Sequence, residues 1–468
     1  VDVRIRGNLG TNPWLRAAQE GLYAEVESLL AAGTDVNSRG EFDATALLCA
    51  AARGHQGLVE LLLAAGARVD ERLVDGTSPM MQAALEGHPQ IVQLLLDRGA
   101  VINIRKTDGT SALHAAAQEG HLEVVQLLLD RGADISSRKK DGSFALHLAA
   151  RAGHVEVVQV LLDRGSDVNS RGGPQDATAL HNAAQEGHQG IVELLLSSGA
   201  DVNSRRYNDM TALHEAAFHG HQCVVESLLN TRRAEVNSMA KQGFTALQSA
   251  AQEGHQGIVE LLLAAAGVDV NGGADDGMTA LHMAALEGHQ GIVELLLAAG
   301  ADFKGSRTNL GATALHCAVI GGHQGIAGRF LAAGADVIEH ISDGRSALLL
   351  AVQRDLAGVV QQLLDAVVQK DERDGLGTSS ALMMINQKVR EMQDWGIVFG
   401  PEVSKVPGVK VVLKERKCSC CKIRLYDALD TAAKKYYKCS RCKLVYYCGP
   451  ECQKKHWCNG HKDVCKAS

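Results

Sequence analysis

The sequence predicts an all-α solenoid of repeated helix-turn-helix-hairpin units, followed by a small metal-stapled finger. Three observations carry this reading. The first is a recurring phrase, seen whole in Gly277-Met278-Thr279-Ala280-Leu281-His282-Met283-Ala284-Ala285, then Gly288-His289, Ile292-Val293, Leu295-Leu296-Leu297 and Ala299-Gly300-Ala301-Asp302. Its threonine slot is filled at Thr45, Ser78, Ser111, Phe144, Thr178, Thr211, Thr245, Thr279, Thr313 and Ser346, in steps of 33 or 34 residues. Its Gly-His slot gives His55, His88, His121, His154, His188, His221, His255, His289 and His323. A fixed period of this length means stacked units rather than one globular core. The second is composition: 46% hydrophobic residues but 4% aromatic ones leave Ala, Leu and Val to build thin layers of short helices. The third is that nine of the 12 cysteines lie between Cys418 and Cys465.

Each element of a unit follows from its residues. Thr279 starts a helix, because its hydroxyl can accept from an exposed backbone N–H. Ala280 to Leu286 is then a short helix with a small-residue side, and Gly288 permits the left-handed turn that ends it. Ile292, Val293, Leu295 and Leu296 mark a second amphipathic helix, which Gly300 stops before Ala301-Asp302 enters the loop. Neither helix is long enough to be stable alone, so stacking must bury its apolar side.

These units resemble ankyrin repeats, whose usual phrase is Thr-Pro-Leu-His followed by Ala-Ala. Here the proline is nearly always alanine, with Pro79 the exception. The histidine is kept at His114, His147, His181, His214, His282 and His316 and lost at Leu48, Met81, Gln248 and Leu349. The resemblance covers residues 12–366 as about eleven units. The last has Arg354-Asp355 in place of Gly-His, as a terminal cap would. Residues 1–11 form a lead-in that opens on Val1 rather than Met, as a chain with a missing start would. One histidine per layer, three residues after a threonine, reads as a buried side chain bonded to backbone and hydroxyl, not as a metal or catalytic group.

In ankyrin families the hairpin tips and the end of the first helix form the concave binding face. The resemblance therefore implies a partner-binding ladder at Glu20, Glu86, Glu119, Glu186, Glu253 and Glu287. Phe42, Tyr207 and Phe244 near the hairpins are contact candidates because aromatics tend to carry interface energy, with core or hairpin packing the other reading for each. Such a stripe would draw a basic partner. The simpler reading is a solvated, duplicated glutamate paired with Arg39, Arg105, Arg138, Arg171 and Arg205.

The period stops in a connector, residues 367–412. Lys370-Asp371-Glu372-Arg373-Asp374-Gly375 reads as loop, and Leu382, Ile385, Val389 and Met392 read as one amphipathic helix. Residues 413–466 hold Cys418-x2-Cys421, Cys439-x2-Cys442, Cys448-x3-Cys452 and His461-x3-Cys465, eight ligands in four pairs. Eight thiolate and imidazole ligands make two closed tetrahedral zinc sites, structural because no position is left for water. A segment this short and this poor in apolar residues needs such staples to fold. A disulfide framework is the other reading, and no secretion signal supports it. The order Tyr447-Cys448-x3-Cys452-Gln453, Trp457, His461 and Cys465 is similar to the MYND-type zinc finger. That resemblance implies interleaved pairs: Cys418, Cys421, Cys448 and Cys452 on one Zn2+, and Cys439, Cys442, His461 and Cys465 on the other. Three residues stand between Trp457 and His461 where two are usual, and Cys420 and Cys458 are spare thiols beside the assigned ligands.

Charge divides in the same place. Residues 404–468 carry 16 Lys/Arg against 5 Asp/Glu, leaving 31 against 49 before them. No run of roughly 18 apolar residues exists, so no membrane partner is expected. The reading is a non-enzymatic adaptor, cytoplasmic or nuclear, that binds other proteins or short peptides through the repeats and the finger. MYND fingers of known families bind short proline-containing peptides. The alternatives are a nucleic-acid-associated regulator using the basic finger, and a subunit supporting a methyltransferase.

Overall fold

A computed structural model describes the fold over residues 12–374, with side chains through residue 367, together with residues 437–438 and 446–447. The zinc-ligand assignments and the amphipathic helix expected in the connector lie outside the described residues. The chain divides into two compact blocks, Val1–Asp275 and Asp276–Ser468.

The first block holds eight helix pairs: α1 (Pro13–Glu20) and α2 (Tyr23–Ala31), α3 (Ala46–Ala52) and α4 (Gln56–Ala64), α5 (Pro79–Glu86) and α6 (Pro89–Asp97), α7 (Ala112–Glu119) and α8 (Leu122–Asp130), α9 (Ala145–Ala152) and α10 (Val155–Asp163), α11 (Ala179–Glu186) and α12 (Gln189–Ser197), α13 (Ala212–His219) and α14 (Gln222–Asn230), α15 (Ala246–Glu253) and α16 (Gln256–Ala264). The second holds α17 (Ala280–Glu287) and α18 (Gln290–Ala298), α19 (Ala314–Gly321) and α20 (Gln324–Ala332), and α21 (Ala347–Gln353) and α22 (Ala357–Asp374). It also contains a two-stranded antiparallel ribbon, β1 (Tyr437–Lys438) and β2 (Tyr446–Tyr447), in the register Tyr437 to Tyr447 and Lys438 to Tyr446. Within each block, every odd-numbered helix packs on the next odd-numbered helix, and the even-numbered helices form a second layer. The ankyrin-type solenoid expected from the sequence is thus present.

The pair α11/α12 shows why the residues fold this way. Ala179, Leu180, Ala183 and Ala184 are fully buried, their small side chains letting neighbouring helices approach. Gly187 caps α11 at φ +80°, its N–H reaching the Ala183 carbonyl. Ile191, Val192 and Leu195 of α12 are wholly buried, at steps that put them on one face. Each such side chain contributes about 1.5–3 kcal/mol. The sequence Gln-Gly-Ile-Val-Glu-Leu-Leu-Leu recurs unchanged at 189–196, 256–263 and 290–297.

One expectation is corrected and one is extended. The run Lys370–Asp374 is not a loop but the end of α22, which reaches Asp374. Lys, Glu and Arg are good helix formers, and polarity alone does not stop a helix already nucleated by a buried face. Thr279 starts its helix in a reciprocal capping box with His282: its side chain faces the His282 backbone N–H, its hydroxyl lies 2.8 Å from His282 Nδ1, and that nitrogen accepts the Thr279 N–H at 3.2 Å. The hydroxyl also accepts the backbone N–H three residues on at Ser78 from Met81 and at Ser346 from Leu349, both at 3.3 Å, and at Ser111 from His114 at 3.5 Å.

Candidate functional site

The polar side chains inside each repeat are used to tie repeats together. In the first histidine slot, His181 Nδ1 accepts the Thr178 N–H at 3.2 Å and lies 2.8 Å from its hydroxyl. Nδ1 must therefore be the unprotonated nitrogen, and Nε2–H donates to the Met210 carbonyl of the next hairpin at 3.0 Å. His114 and His214 do the same toward Ser137 and Phe244, each at 3.1 Å. Burial holds His114, His181 and His214 down to about 4, against the opposing pull of those carbonyl contacts. At Gln248 the amide replaces the ring atom for atom: Oε1 accepts the Thr245 N–H at 2.6 Å and Nε2 donates to Gly272 O at 3.0 Å. At Phe144 the hydroxyl is missing, and the His147 ring instead stacks on the phenyl at 5.5 Å.

The Gly-His histidines reach the other way. His55, His121, His154, His188, His221 and His255 each place Nε2 within 3.1 Å of a carbonyl at the end of the preceding inner helix. The glycine of that preceding repeat makes room for the ring: a Cβ on Gly187 would lie 2.5 Å from His221 Nδ1.

A third tether had not been anticipated. The Asn169 amide donates to Gly199 O at 3.3 Å and its Oδ1 accepts the Asp201 N–H at 2.8 Å. Asn37, Asn203 and Asn237 repeat this two-way clamp on the next turn. The signal was in the sequence as an asparagine at the repeat period. The hairpin tips add a backbone ladder, with Val74, Thr107, Lys140, Tyr207, Lys241 and Asp275 each donating to the tip before it.

What remains exposed is the expected ladder. Glu20, Glu119, Glu186 and Glu253 are exposed, Glu86 is half-buried, and Glu287 in the second block is exposed. Phe42 and Tyr207 are exposed hairpin residues, while Phe244 is half-buried. The expected neutralisation by hairpin arginines is not what the geometry gives. Arg39 pairs with Glu71, Arg105 with Asp134 at 3.4 Å, Arg171 with Asp176 at 2.9 Å and Arg205 with Glu235 at 3.9 Å, all hairpin acids, while Arg138 donates to the Arg171 carbonyl at 2.8 Å. Arg39, Arg105 and Arg205 are held by acids of the next hairpin and Arg171 by an acid of its own. Glu186 has a distant pairing with Arg151, at 3.8 Å, and Glu20 with Arg16 at 3.8 Å. Both are solvated and contribute little.

Among the described residues, no three His, Cys, Asp or Glu side chains converge on a point that could hold a metal, and no helix is long and apolar enough to cross a membrane. The expected ligands sit in sequence around the ribbon, with Cys439 directly after β1 and Cys448 directly after β2.

Comparison with known families agrees with this architecture. The ankyrin-repeat family, in its three-copy form, matches residues 14–106, 102–172, 171–240 and 213–307, and a single ankyrin repeat matches 310–340. The MYND finger family matches 418–465, which implies zinc binding. No curated protein matches the chain. The chain belongs to the ankyrin-repeat family and carries a MYND-type zinc finger.

Proposed function

We propose that the chain is a non-enzymatic adaptor that holds partner proteins or short peptides on the face made by its inner-helix ends and hairpin tips, and on its finger. The observation that carries this is the separation of roles in the repeats. Buried histidines and the periodic surface asparagines are consumed in tethers, and hairpin arginines in hairpin pairs, which leaves Glu20, Glu119, Glu186 and Glu253 as an exposed row. A row of like charge on rigid helix ends favours encounter with a basic partner. Ankyrin repeats and MYND fingers are interaction modules, and two on one chain raise a shared partner's effective concentration if both are reached together.

In the finger, two zinc ions are assigned to Cys418, Cys421, Cys448 and Cys452, and to Cys439, Cys442, His461 and Cys465. The donor set is seven thiolates with one imidazole, the chemistry of closed structural zinc. The metal's contribution there is to hold the fold.

The test is affinity capture with the full chain, with the E119Q/E186Q/E253Q chain, and with the C418A/C439A chain. The adaptor reading expects a defined set of captured proteins, part lost with the glutamines and part with the alanines. Identical captures by all three would defeat it.

A further inference from the structure

The repeat that breaks the pattern most is the one containing α13. Other inner helices of the first block end in Gln-Glu or Leu-Glu at five of these slots; α13 ends in Phe218-His219. Phe218 is 41% exposed, in a slot that holds Gln19, Gln118, Gln185 and Gln252 in four other repeats of the first block. Its ring meets His219 edge-on at 5.1 Å, and His219 stacks on His221 at 6.2 Å. Both ends of this platform are pinned: His221 Nε2 to the Gln185 carbonyl at 2.8 Å, and the Phe218 carbonyl to His255 Nε2 at 3.1 Å.

The floor is also unusual. Glu215 lies one turn earlier on α13, 1% exposed, in a slot that the first block elsewhere fills with Cys49, Gln82, Ala115, Leu148, Asn182 or Ser249. Its Oε1 lies 2.6 Å from Arg206 Nη2 and its Oε2 lies 3.8 Å from His219 Nε2. Arg206 comes from the hairpin and is itself held by Asn208 Oδ1, 2.9 Å from Nε. The buried pair fixes the hairpin against the helix beneath the platform. At the tip, Tyr207 is 74% exposed with Lys241 Nζ 3.9 Å from its ring centre.

The flanks supply charge. The acidic groups acting on His219 from the neighbouring inner helices are Glu186 of α11 and Glu253 of α15, both exposed. Glu253 takes the Gln252 amide at 3.4 Å and has no ion pair among the described residues. An exposed aromatic face with a carboxylate on either side is complementary to a planar cation. A guanidinium meets both needs, stacking on a ring and donating in a fork, whereas an ammonium does only the first well.

Resting on the adaptor reading above, we propose that this platform is the docking site for an arginine side chain of an extended basic peptide, stacked on Phe218 between Glu186 and Glu253. The rigid aromatic is the anchor and the carboxylates set the choice of cation.

The experiment is selection from a displayed library of short random peptides on the full chain, followed by fluorescence anisotropy of the enriched sequence. Enriched peptides should share an arginine, and its replacement by glutamine should weaken binding about tenfold or more. The variants F218A and E186Q/E253Q should each weaken it about tenfold, with unchanged melting. The E20Q/E119Q variant, equal in charge change but away from the platform, should bind as the parent does. Peptides that are enriched yet bind F218A and E186Q/E253Q unchanged overturn this site and leave the adaptor reading standing. Equal weakening by E20Q/E119Q also overturns it, by assigning the effect to the whole stripe. If nothing is enriched on the full chain, both readings fall.

Discussion

Replacing Gly187 by alanine tests how the repeats are joined. Gly187 sits at φ +80°, a region that costs a residue with a Cβ about 1–2 kcal/mol. The new methyl would also lie 2.5 Å from Nδ1, 2.7 Å from Cε1 and 2.9 Å from Cγ of His221. The ring must swing aside, giving up its 2.8 Å contact with the Gln185 carbonyl, a loss of about 1 kcal/mol. Residual overpacking adds about 1–3 kcal/mol. The sum is roughly 3–6 kcal/mol. Gly199 is the internal control: its φ is +91°, and an added Cβ meets nothing within 4 Å. G199A should therefore cost only the backbone strain, about 1–2 kcal/mol. The assay is urea unfolding of the full chain, with hydrogen exchange of amides 179–196 to locate the loosening, because a repeat array need not unfold in one step. In the G187A background, H221A should recover part of the loss, a coupling that independent sites would not show. Equal destabilisation by G187A and G199A, or no recovery with H221A, would refute the tether argument.

Three further outcomes are expected. Burial holds His181 down to about 4 from its ordinary 6.5, so the unfolded chain takes up a proton that the folded chain refuses as pH falls through that window. Stability contributed by the neutral ring is therefore present above about pH 6.5 and lost toward pH 4, by roughly 3 kcal/mol at most. H181Q, copying Gln248, should leave urea stability at neutral pH within about 1 kcal/mol of the parent and lessen the loss near pH 5. Burial raises the Glu215 carboxyl above its usual range in spite of Arg206. R206M should cost about 3–5 kcal/mol by leaving that carboxyl without its partner, while R206M/E215M should cost much less, in the same unfolding assay. Chelation should release about two zinc ions per chain, by elemental analysis, and expose residues 418–465 to protease without lowering the melting temperature of the repeats.

The parts of this molecule that were legible in the sequence are those written at a fixed period. The inner and outer helices, the Gly187-type caps and the burial of His181 all follow from words repeated at steps of 33 or 34 residues. The Asn169 clamp is equally periodic, but its meaning depends on a turn geometry that spacing does not reveal. The arginine partners were misread because charge pairing depends on which loops touch: Arg171 finds Asp176 five positions on, not a glutamate on a helix end. The α13 platform was missed for the opposite reason. Glu215 and Arg206 belong to no motif, and only the fold shows that nine positions of chain bring them to 2.6 Å.

The unchanged wording of α12, α16 and α18 carries a consequence for how the chain acquires its shape. A segment that can bind its proper neighbour can bind a copy of that neighbour equally well, so identical surfaces invite mispairing while the chain is still being ordered. Irregular residues supply the missing addresses. Arg206 fits only the hairpin that faces a Glu215, and a Phe144 with Arg138 4.7 Å from its ring marks another position that no duplicate can fill. Variation among the copies thus favours the correct pairing of neighbours, and making them more alike would invite kinetic traps.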